Sequence, residues 1–125
     1  MNIERTARKG TNMKEIKAII QPHMLNRVID ALHALPHFPG VTVSDCLGQG
    51  RGLGAGGRYV ATEQTIDFHK VTKLELFCAD ACAEEIARVI QRTAHTGNPG
   101  DGVIMVADLP RVIRIRTGQE QVEAV

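Results

Sequence analysis

The chain has few aromatic residues and almost no net charge. Of its 125 residues only 3% are aromatic and none is tryptophan, while 15 basic and 14 acidic side chains leave a formal net charge of +1. Proteins that bind single-stranded nucleic acid stack bases on aromatic rings, and those that bind duplexes carry a concentrated positive charge. The composition therefore argues against a nucleic-acid partner.

Long apolar runs are missing as well. No stretch approaches the roughly 20 apolar residues that cross a bilayer, and no apolar segment typical of a signal peptide follows Met1. We therefore expect a cytoplasmic protein that does not insert into a membrane.

The number of cysteines argues against a disulfide framework. Cys46, Cys78 and Cys82 are an odd set, which is not typical of a secreted disulfide scaffold. The close spacing of Cys78 and Cys82 leaves a redox pair or a soft-metal site as an alternative, but no further ligand stands at a suitable spacing. We interpret all three as reduced, partly buried thiols and the five scattered histidines as surface or packing residues, and we expect no metal site.

The length allows one domain with a single core. Residues 1–12 are polar and basic and show no apolar periodicity, so we expect a flexible N-terminal extension. The domain itself is expected over residues 13–125.

Apolar spacing predicts four strands and two helices. The predicted elements are, in order, a strand over 14–20, a helix over 25–35, strands over 41–47 and 66–78, a helix up to Ala94, and a strand over 103–106. Asp80 is expected to cap the second helix, and Val112 to Arg116 is predicted as a last strand-like piece. The order β-α-β-β-α-β is that of an α+β, ferredoxin-like domain, whose helix-free sheet face is often buried by association.

Two glycine-rich segments interrupt this pattern. Six of the ten residues from Gly48 to Gly57 are glycine, and His95 to Gly102 contains three glycines, a proline and an aspartate. Glycine lets backbone N–H groups approach an anion closely. The connection from Gly48 to about Thr65 is also long, and long structureless loops in compact domains are usually functional.

A basic segment follows near the C-terminus, with Arg111, Arg114 and Arg116. Strand alternation would place Arg114 and Arg116 on one face, where a phosphate would relieve their mutual repulsion. The alternative is a solvated cationic edge that discourages aggregation. Our hypothesis is that two glycine loops and a basic C-terminal strand build one phosphate site.

The sequence gives no support for an enzyme. Neither glycine loop contains the Gly-Lys-[Ser/Thr] of a Walker A motif, and no Ser-His-Asp or Cys-His arrangement is indicated. Glu75 lies in a mostly apolar strand, either as a solvent-face residue or as a hydrogen-bond acceptor for a base amino group.

Three segments resemble one known family. Residues 92–104 (RTAHTGNPGDGVI) and 111–118 (RVIRIRTG) closely resemble the C-terminal signature of the PII signal-transduction (nitrogen regulatory P-II) proteins, and 13–22 (MKEIKAIIQP) resembles their start. The resemblance implies a ferredoxin-like homotrimer that binds an adenine nucleotide (ADP, AMP or ATP) between subunits and needs no cofactor. A loop over 50–67 would contact a target protein, often a membrane transporter.

The resemblance also implies which residues hold the nucleotide. Near the phosphates would lie the base of the first loop, with Gly48, Gly50 and Arg51, and the second glycine turn, with Gly100, Asp101 and Gly102. Near the adenine would lie Thr42 and Glu75, and Arg114 and Arg116 would reach the phosphates from the neighbouring subunit.

Four positions depart from the family pattern. Val103 stands where the family has a phosphate-pairing lysine, so ADP or AMP should bind at least as well as ATP. Gly52 and Val71 stand where the family has a glutamine and a lysine that serve 2-oxoglutarate, although Lys70 is adjacent. Gln64 replaces the uridylylated tyrosine, with Tyr59 elsewhere in the loop. The chain is thus more similar to the PII-like branches linked to transport of metal cations or inorganic carbon.

The leading hypothesis is a non-enzymatic regulator whose nucleotide shifts the loop between conformations. Three alternatives remain open: a nitrogen regulator that responds to ATP with 2-oxoglutarate, a bicarbonate and nucleotide sensor in inorganic-carbon metabolism, and an enzyme with slow nucleotide hydrolysis.

Overall fold

A computed structural model describes residues 12–50 and 68–121. Its elements are β1 (Met13–Ile20), α1 (Leu25–His33), β2 (Thr42–Gly48), β3 (His69–Ala79), α2 (Asp80–Ala94) and β4 (Gly102–Leu109), with a short 3-10 turn, Pro22–Met24, before α1. The predicted order β-α-β-β-α-β is confirmed. Residues 1–11 of the extension predicted over 1–12 lie outside the described residues. So do Arg51 and the rest of the predicted loop after Gly50, including Gly52, Tyr59 and Gln64.

The four strands form one antiparallel sheet in the order β2-β3-β1-β4. The central strand β1 pairs with β3 on one side and with β4 on the other, so that Ile16 lies opposite both Leu76 and Val106. Strand β2 pairs with β3, with Thr42 opposite Glu75 and Gly48 opposite His69. This is the ferredoxin-like α+β fold expected from the sequence.

The core lies between one face of the sheet and the two helices. Alternate residues of β1, namely Ile16, Ala18 and Ile20, are at most 2% exposed, because their side chains point to the helix side. The other core residues come from both helices and β3: Val28, Leu32, Leu74, Leu76, Cys78, Ala83, Ile86, Val89, Ile90 and Ala94. The buried residues recur about every second position in the strands and about every 3.6 positions in the helices, as the sequence pattern predicted.

Neither α1 nor α2 packs on the opposite face of the sheet, the helix-free face. It presents apolar side chains beside charged ones: Val103, Met105 and Phe77 are 54%, 43% and 40% exposed, and Lys17 and Glu75 sit opposite each other between them. An apolar surface of this kind, rimmed by charges, is typical of an interface.

The prediction that Asp80 caps the second helix is wrong. Ala79 occupies the N-cap position without a side-chain cap hydrogen bond, and Asp80 is the first helical residue. Its carboxylate lies 3.4 Å from Lys14 Nζ, and the same ammonium donates to Asp108 at the end of β4. One lysine thus connects β1, α2 and β4, and it holds Asp80 away from the backbone N–H groups that a cap would satisfy.

The predicted C-terminal strand is also absent from the sheet. Ile113 makes a single bridge with Glu120, residues 115–117 form a turn, and Gly118 N–H donates to the Arg114 carbonyl at 2.8 Å. Gly118 has φ +74, a conformation that favours glycine and returns the chain on itself. Alternation therefore does not hold for Arg114 and Arg116, the first half-buried and the second exposed.

Strand β4 begins at Gly102, and any other residue at this position would displace the neighbouring backbone. Gly102 has φ +111, and a Cβ built on it would lie 1.8 Å from the Ile19 carbonyl oxygen. The backbone of β4 passes β1 at this point more closely than a side chain allows.

We expect Gly102→Ala to lower the free energy of unfolding by at least ~3 kcal/mol, because both the positive φ and the contact with backbone oppose a Cβ. Gly40→Ala is the matched control: Gly40 has φ +94 but open space around its Cβ position, so its cost should be only about 1–2 kcal/mol. Urea denaturation of the two variants measures the difference. Equal losses of unfolding free energy in the two variants would show that the backbone at Ile19 can move away from an added Cβ at little cost.

Candidate functional site

The turn over residues 95–102, between α2 and β4, is organised by one carboxylate. Asp101 Oδ2 accepts the backbone N–H groups of Thr96 and Gly97 at 2.8 and 2.9 Å, and Oδ1 accepts the Thr96 hydroxyl. The Thr96 Oγ1 in turn accepts the N–H of Asn98 at 3.1 Å. Asp101 therefore shapes the turn from inside, a role that short polar side chains commonly take in turns.

These hydrogen bonds also set the charge of Asp101. The Thr96 hydroxyl, the backbone N–H groups of Thr96 and Gly97, and the nearby His95 lower the pKa of the Asp101 carboxyl below its ordinary value of 3.8. Charge-assisted hydrogen bonds of this kind stabilise the ionised form. The turn accordingly carries a negative charge at neutral pH.

The remaining donors of the turn are oriented differently. Among the described residues no acceptor is found for the backbone N–H groups of Gly100 and Asp101, and the Gly100 carbonyl is held by the side-chain amide of Gln21 at the end of β1. The N–H groups that the sequence suggested for anion binding are thus divided. Those of Thr96 and Gly97 donate to Asp101, and those of Gly100 and Asp101 have no acceptor within residues 12–50 and 68–121.

A cleft of about 410 Å³ opens beside this turn. Its walls come from the end of β1, the last turns of α2, the 95–102 turn and the start of β4, including Ile19, His95, Asp101, Gly102 and Val103. Of the turn residues predicted from the sequence, Asp101 and Gly102 line this cleft, and Val103 forms its edge.

Thr42 and Glu75 are brought together on neighbouring strands. They are direct partners across β2 and β3, and Glu75 Oε1 lies 4.0 Å from Lys73 Nζ on the same sheet face. Both side chains are about two-thirds buried, at 29% and 32% exposure. Glu75 is therefore a shielded acceptor beside an exposed hydroxyl, as recognition of a polar ring would require.

The base of the first glycine loop lies at the far end of β2. Gly48 is the last residue of this strand and Gly50 follows it, while Arg51 is outside the described residues. A second cleft of about 280 Å³ lies here, with Lys70 and Val71 in its wall.

The arginines of the C-terminal segment differ in their partners. Arg111 Nε donates to Glu120 at 2.8 Å, and the pKa of the Glu120 carboxyl is lowered by this bond. Neither Arg114 nor Arg116 has an acidic group within 4.0 Å in the part of the chain that the structure describes. Of these three arginines, Arg114 and Arg116 are thus the two whose charge no described acidic residue neutralises, as the hypothesis of a phosphate site requires.

Within one chain these groups do not converge. Gly102 lies two strands from Glu75 and three positions further along the sheet, a separation of about 14 Å from standard strand spacings. The segment with Arg114 and Arg116 leaves β4 at Leu109, which is about 23 Å from Gly102 along the strand. Among the described residues, the strand geometry therefore separates Glu75 from the 95–102 turn, and the C-terminal segment starts far from that turn.

The three cysteines all lie in the described part of the chain. All three thiols are free, and burial, then the neighbouring Cys82 and Asp80, raise the pKa of Cys78 to about 11. Residues 12–50 and 68–121 contain no cluster of three or more His, Cys, Asp or Glu residues placed to hold a metal ion. They also contain no helix long and apolar enough to cross a membrane.

Sequence reasoning missed the residues that hold the turn in place. Thr96 was not singled out, and His95 was interpreted as a surface or packing residue, although its Nδ1 lies 3.6 Å from Asp101 Oδ2. The signal was present as a threonine five residues before an aspartate in a glycine-rich segment, a composition typical of side-chain-stabilised turns.

We expect Asp101→Asn to destabilise the protein at neutral pH, because the carboxylate accepts three hydrogen bonds. Since the folded-state pKa is depressed, the stabilisation is present above about pH 4 and is lost as the pH falls through that lowered pKa. The difference from wild type should therefore shrink towards pH 3, measured by urea denaturation at several pH values.

Asp45→Asn serves as the control, since Asp45 is exposed on β2 and has no ion pair within the described residues. Its effect should be small at every pH. A pH-independent loss in Asp101→Asn would show that shape, not charge, is what Asp101 contributes.

Comparison with known proteins identifies relatives along nearly the whole chain. A family model described as "Nitrogen regulatory protein P-II" matches residues 13–119. Nitrogen regulatory protein P-II of Azospirillum brasilense is 40% identical over 113 residues, and nitrogen regulatory protein P-II 1 of Escherichia coli K12 is 42% identical over 113 residues; each match covers 90% of this chain and all of the relative.

The fold has a counterpart among solved structures. The B. subtilis GlnK–ATP complex superposes with a TM-score of 0.72 at 23% identity, over 92% of this chain and 99% of that one. At this identity the likeness supports the fold alone. Because the family model spans most of the chain and the relatives reach about 40% identity, the chain belongs to the nitrogen regulatory protein P-II family.

Proposed function

We propose that this protein is a cytoplasmic, non-enzymatic signalling protein that binds an adenine nucleotide between the subunits of a homotrimer. The observation that carries the proposal is the 95–102 turn, where Asp101 fixes the backbone and leaves the N–H groups of Gly100 and Asp101 without an acceptor among the described residues. Backbone N–H groups presented by a glycine turn are a common anion site.

The charge distribution supports a phosphate as that anion. Arg111 is neutralised by Glu120, whereas Arg114 and Arg116 are not paired within the described residues. The solved GlnK of B. subtilis, which shares the fold, was determined as a complex with ATP. Two free guanidinium groups and a glycine turn are together suited to a di- or triphosphate.

The separation of the parts supports a site between subunits. Glu75 and the turn are about 14 Å apart by strand spacing, and Arg114 follows β4 at its other end. The helix-free face exposes Val103, Met105 and Phe77, an apolar surface that association would bury. A neighbouring subunit would supply Arg114 and Arg116 to the turn, and the adenine would lie near Thr42 and Glu75.

The output of the protein would pass through the loop over 50–67. Gly48 and Gly50 lie at its base, so a phosphate bound there would bias the loop's conformations. A ligand shifts such an equilibrium by its difference in affinity for the two states. The target would be a protein partner, with a membrane transporter as our first candidate.

Ligand preference should follow from Val103. This residue is exposed at the edge of the cleft and supplies no charge to a terminal phosphate. We expect ADP and AMP to bind at least as tightly as ATP, and Val103→Lys to raise ATP affinity about tenfold by adding a charge-assisted contact. Calorimetric titration of the three nucleotides with both proteins measures this; a strong Mg-dependent ATP preference in the wild type would contradict it.

Arginine variants test the site itself. Arg116→Ala should weaken ADP binding at least about tenfold, since it removes an unpaired cation. Arg111→Ala is the matched control, because Arg111 is already paired with Glu120 and its loss should leave affinity almost unchanged. Equal effects of the two variants would place the phosphates elsewhere.

A second candidate function is favoured by the names of the relatives. Several P-II relatives at about 40% identity are named nitrogen regulatory proteins, which makes a sensor of ATP with 2-oxoglutarate the runner-up. Val71, in the wall of the second cleft, supplies no charge for a carboxylate. We therefore expect 2-oxoglutarate to leave ATP affinity unchanged in the same calorimetric assay, with bicarbonate as a parallel addition. A large gain with 2-oxoglutarate would establish the nitrogen sensor instead.

A further inference from the structure

We propose that His95 is a phosphate-binding residue of the nucleotide site, and that its protonation sets how tightly the site holds an anion. This inference rests on the proposed nucleotide function and adds a residue to it. His95 ends α2 as its C-cap residue, and its side chain is 62% exposed in the wall of the cleft beside the glycine turn.

The imidazole lies against the turn at two points. His95 Nδ1 lies 3.6 Å from Asp101 Oδ2, and Nε2 is near Gly97, 3.8 Å from where an added Cβ would stand, which is an ordinary van der Waals distance. The ring thus lies beside the Asp101 carboxylate while its side chain remains exposed in the wall of the cleft.

The protonation of His95 determines the net charge of the cleft wall. Asp101 is ionised and lines the cleft, so it repels the anion that the neighbouring N–H groups would bind. The other side chains of the wall, including Gln91, Ile19 and Val103, are uncharged. Among the residues of this wall, only His95 can become positive and neutralise Asp101. The wall changes from a net charge of −1 to 0 when the imidazole is protonated.

Among the described residues that line this wall, His95 and Asp101 are the titratable ones. Asp101 is the charged residue that the turn places beside His95, and β1 and β4 contribute apolar residues to the same wall. On α2, Arg92 lies three residues earlier, is exposed, and makes no ion pair in the described part of the chain. Histidine ordinarily titrates between pH 5 and 8, so anion affinity should fall as the pH rises through this range.

The test compares ADP binding at pH 6 and pH 8 in the wild type, His95→Gln and His95→Lys. The phosphate of ADP titrates in this range too, but equally for all three proteins. We expect the affinity of the wild type to fall about three- to tenfold more than that of His95→Gln, from the loss of one nearby charge. His95→Lys should keep its affinity at pH 8, because its charge persists.

Proton uptake gives a second readout that a structural role would not change. Calorimetry at pH 7 in buffers of different ionisation enthalpy should show more protons taken up on ADP binding by the wild type than by His95→Gln. Adenosine, which has no phosphate, should show no such difference.

The outcomes separate this inference from the function on which it rests. If ADP binds and the pH profiles of wild type and His95→Gln are parallel, His95 is not a phosphate ligand while the nucleotide function stands. If no adenine nucleotide binds at either pH, both fall. Thermal unfolding is the check that each variant is folded, which we expect for substitutions at an exposed helix end.

Discussion

The close passage of β4 over β1 is the constraint on which the rest of the site depends. Gly102 brings its Cα so near the Ile19 carbonyl that no Cβ fits, and this contact fixes the register in which Gly102 lies opposite Ile20. Val103 is thereby placed on the helix-free face. Asp101, one residue earlier, is held where its carboxylate meets the N–H groups of Thr96 and Gly97. A shift of one residue would exchange the faces and dissolve the turn.

This arrangement has an electrostatic consequence. The carboxylate that builds the turn also places a negative charge beside the donors that would bind an anion, and it consumes two of those donors. The Asp101 carboxylate therefore helps anion binding by shaping the turn and opposes it by its negative charge. Besides His95 in the same wall, the opposing cations would be groups that no described acidic residue neutralises, and Arg114 and Arg116 fit that description where Arg111 does not.

The sequence predicted the elements whose residues repeat with a clear period, because burial on one face imposes that period. It failed where contacts of individual residues, near or far in the sequence, override the pattern. Val112 to Arg116 alternates like a strand, but Gly118 at φ +74 turns the chain back before a sheet partner is reached. Asp80 has the composition of a cap, but Lys14, distant in sequence, takes its carboxylate. For the same reason His95 and Thr96 were missed: their role depends on folding next to Asp101. Thr42 and Glu75 were named from the family resemblance, and the register of β2 against β3 places them side by side.

A site whose parts lie in different copies of the chain links two equilibria. In the proposed arrangement, the turn of one subunit and Arg114 and Arg116 of the next meet only in the assembled state, so the nucleotide binds the assembly and not the separated chain. Any ligand with that preference stabilises the assembly by mass action. Without the ligand, Arg114 and Arg116 would repel each other, and in the proposed arrangement the phosphates would remove that repulsion. The helix-free face, with its exposed Val103 and Met105, would supply the part of the association that does not depend on the ligand, and the nucleotide would supply the part that can be regulated.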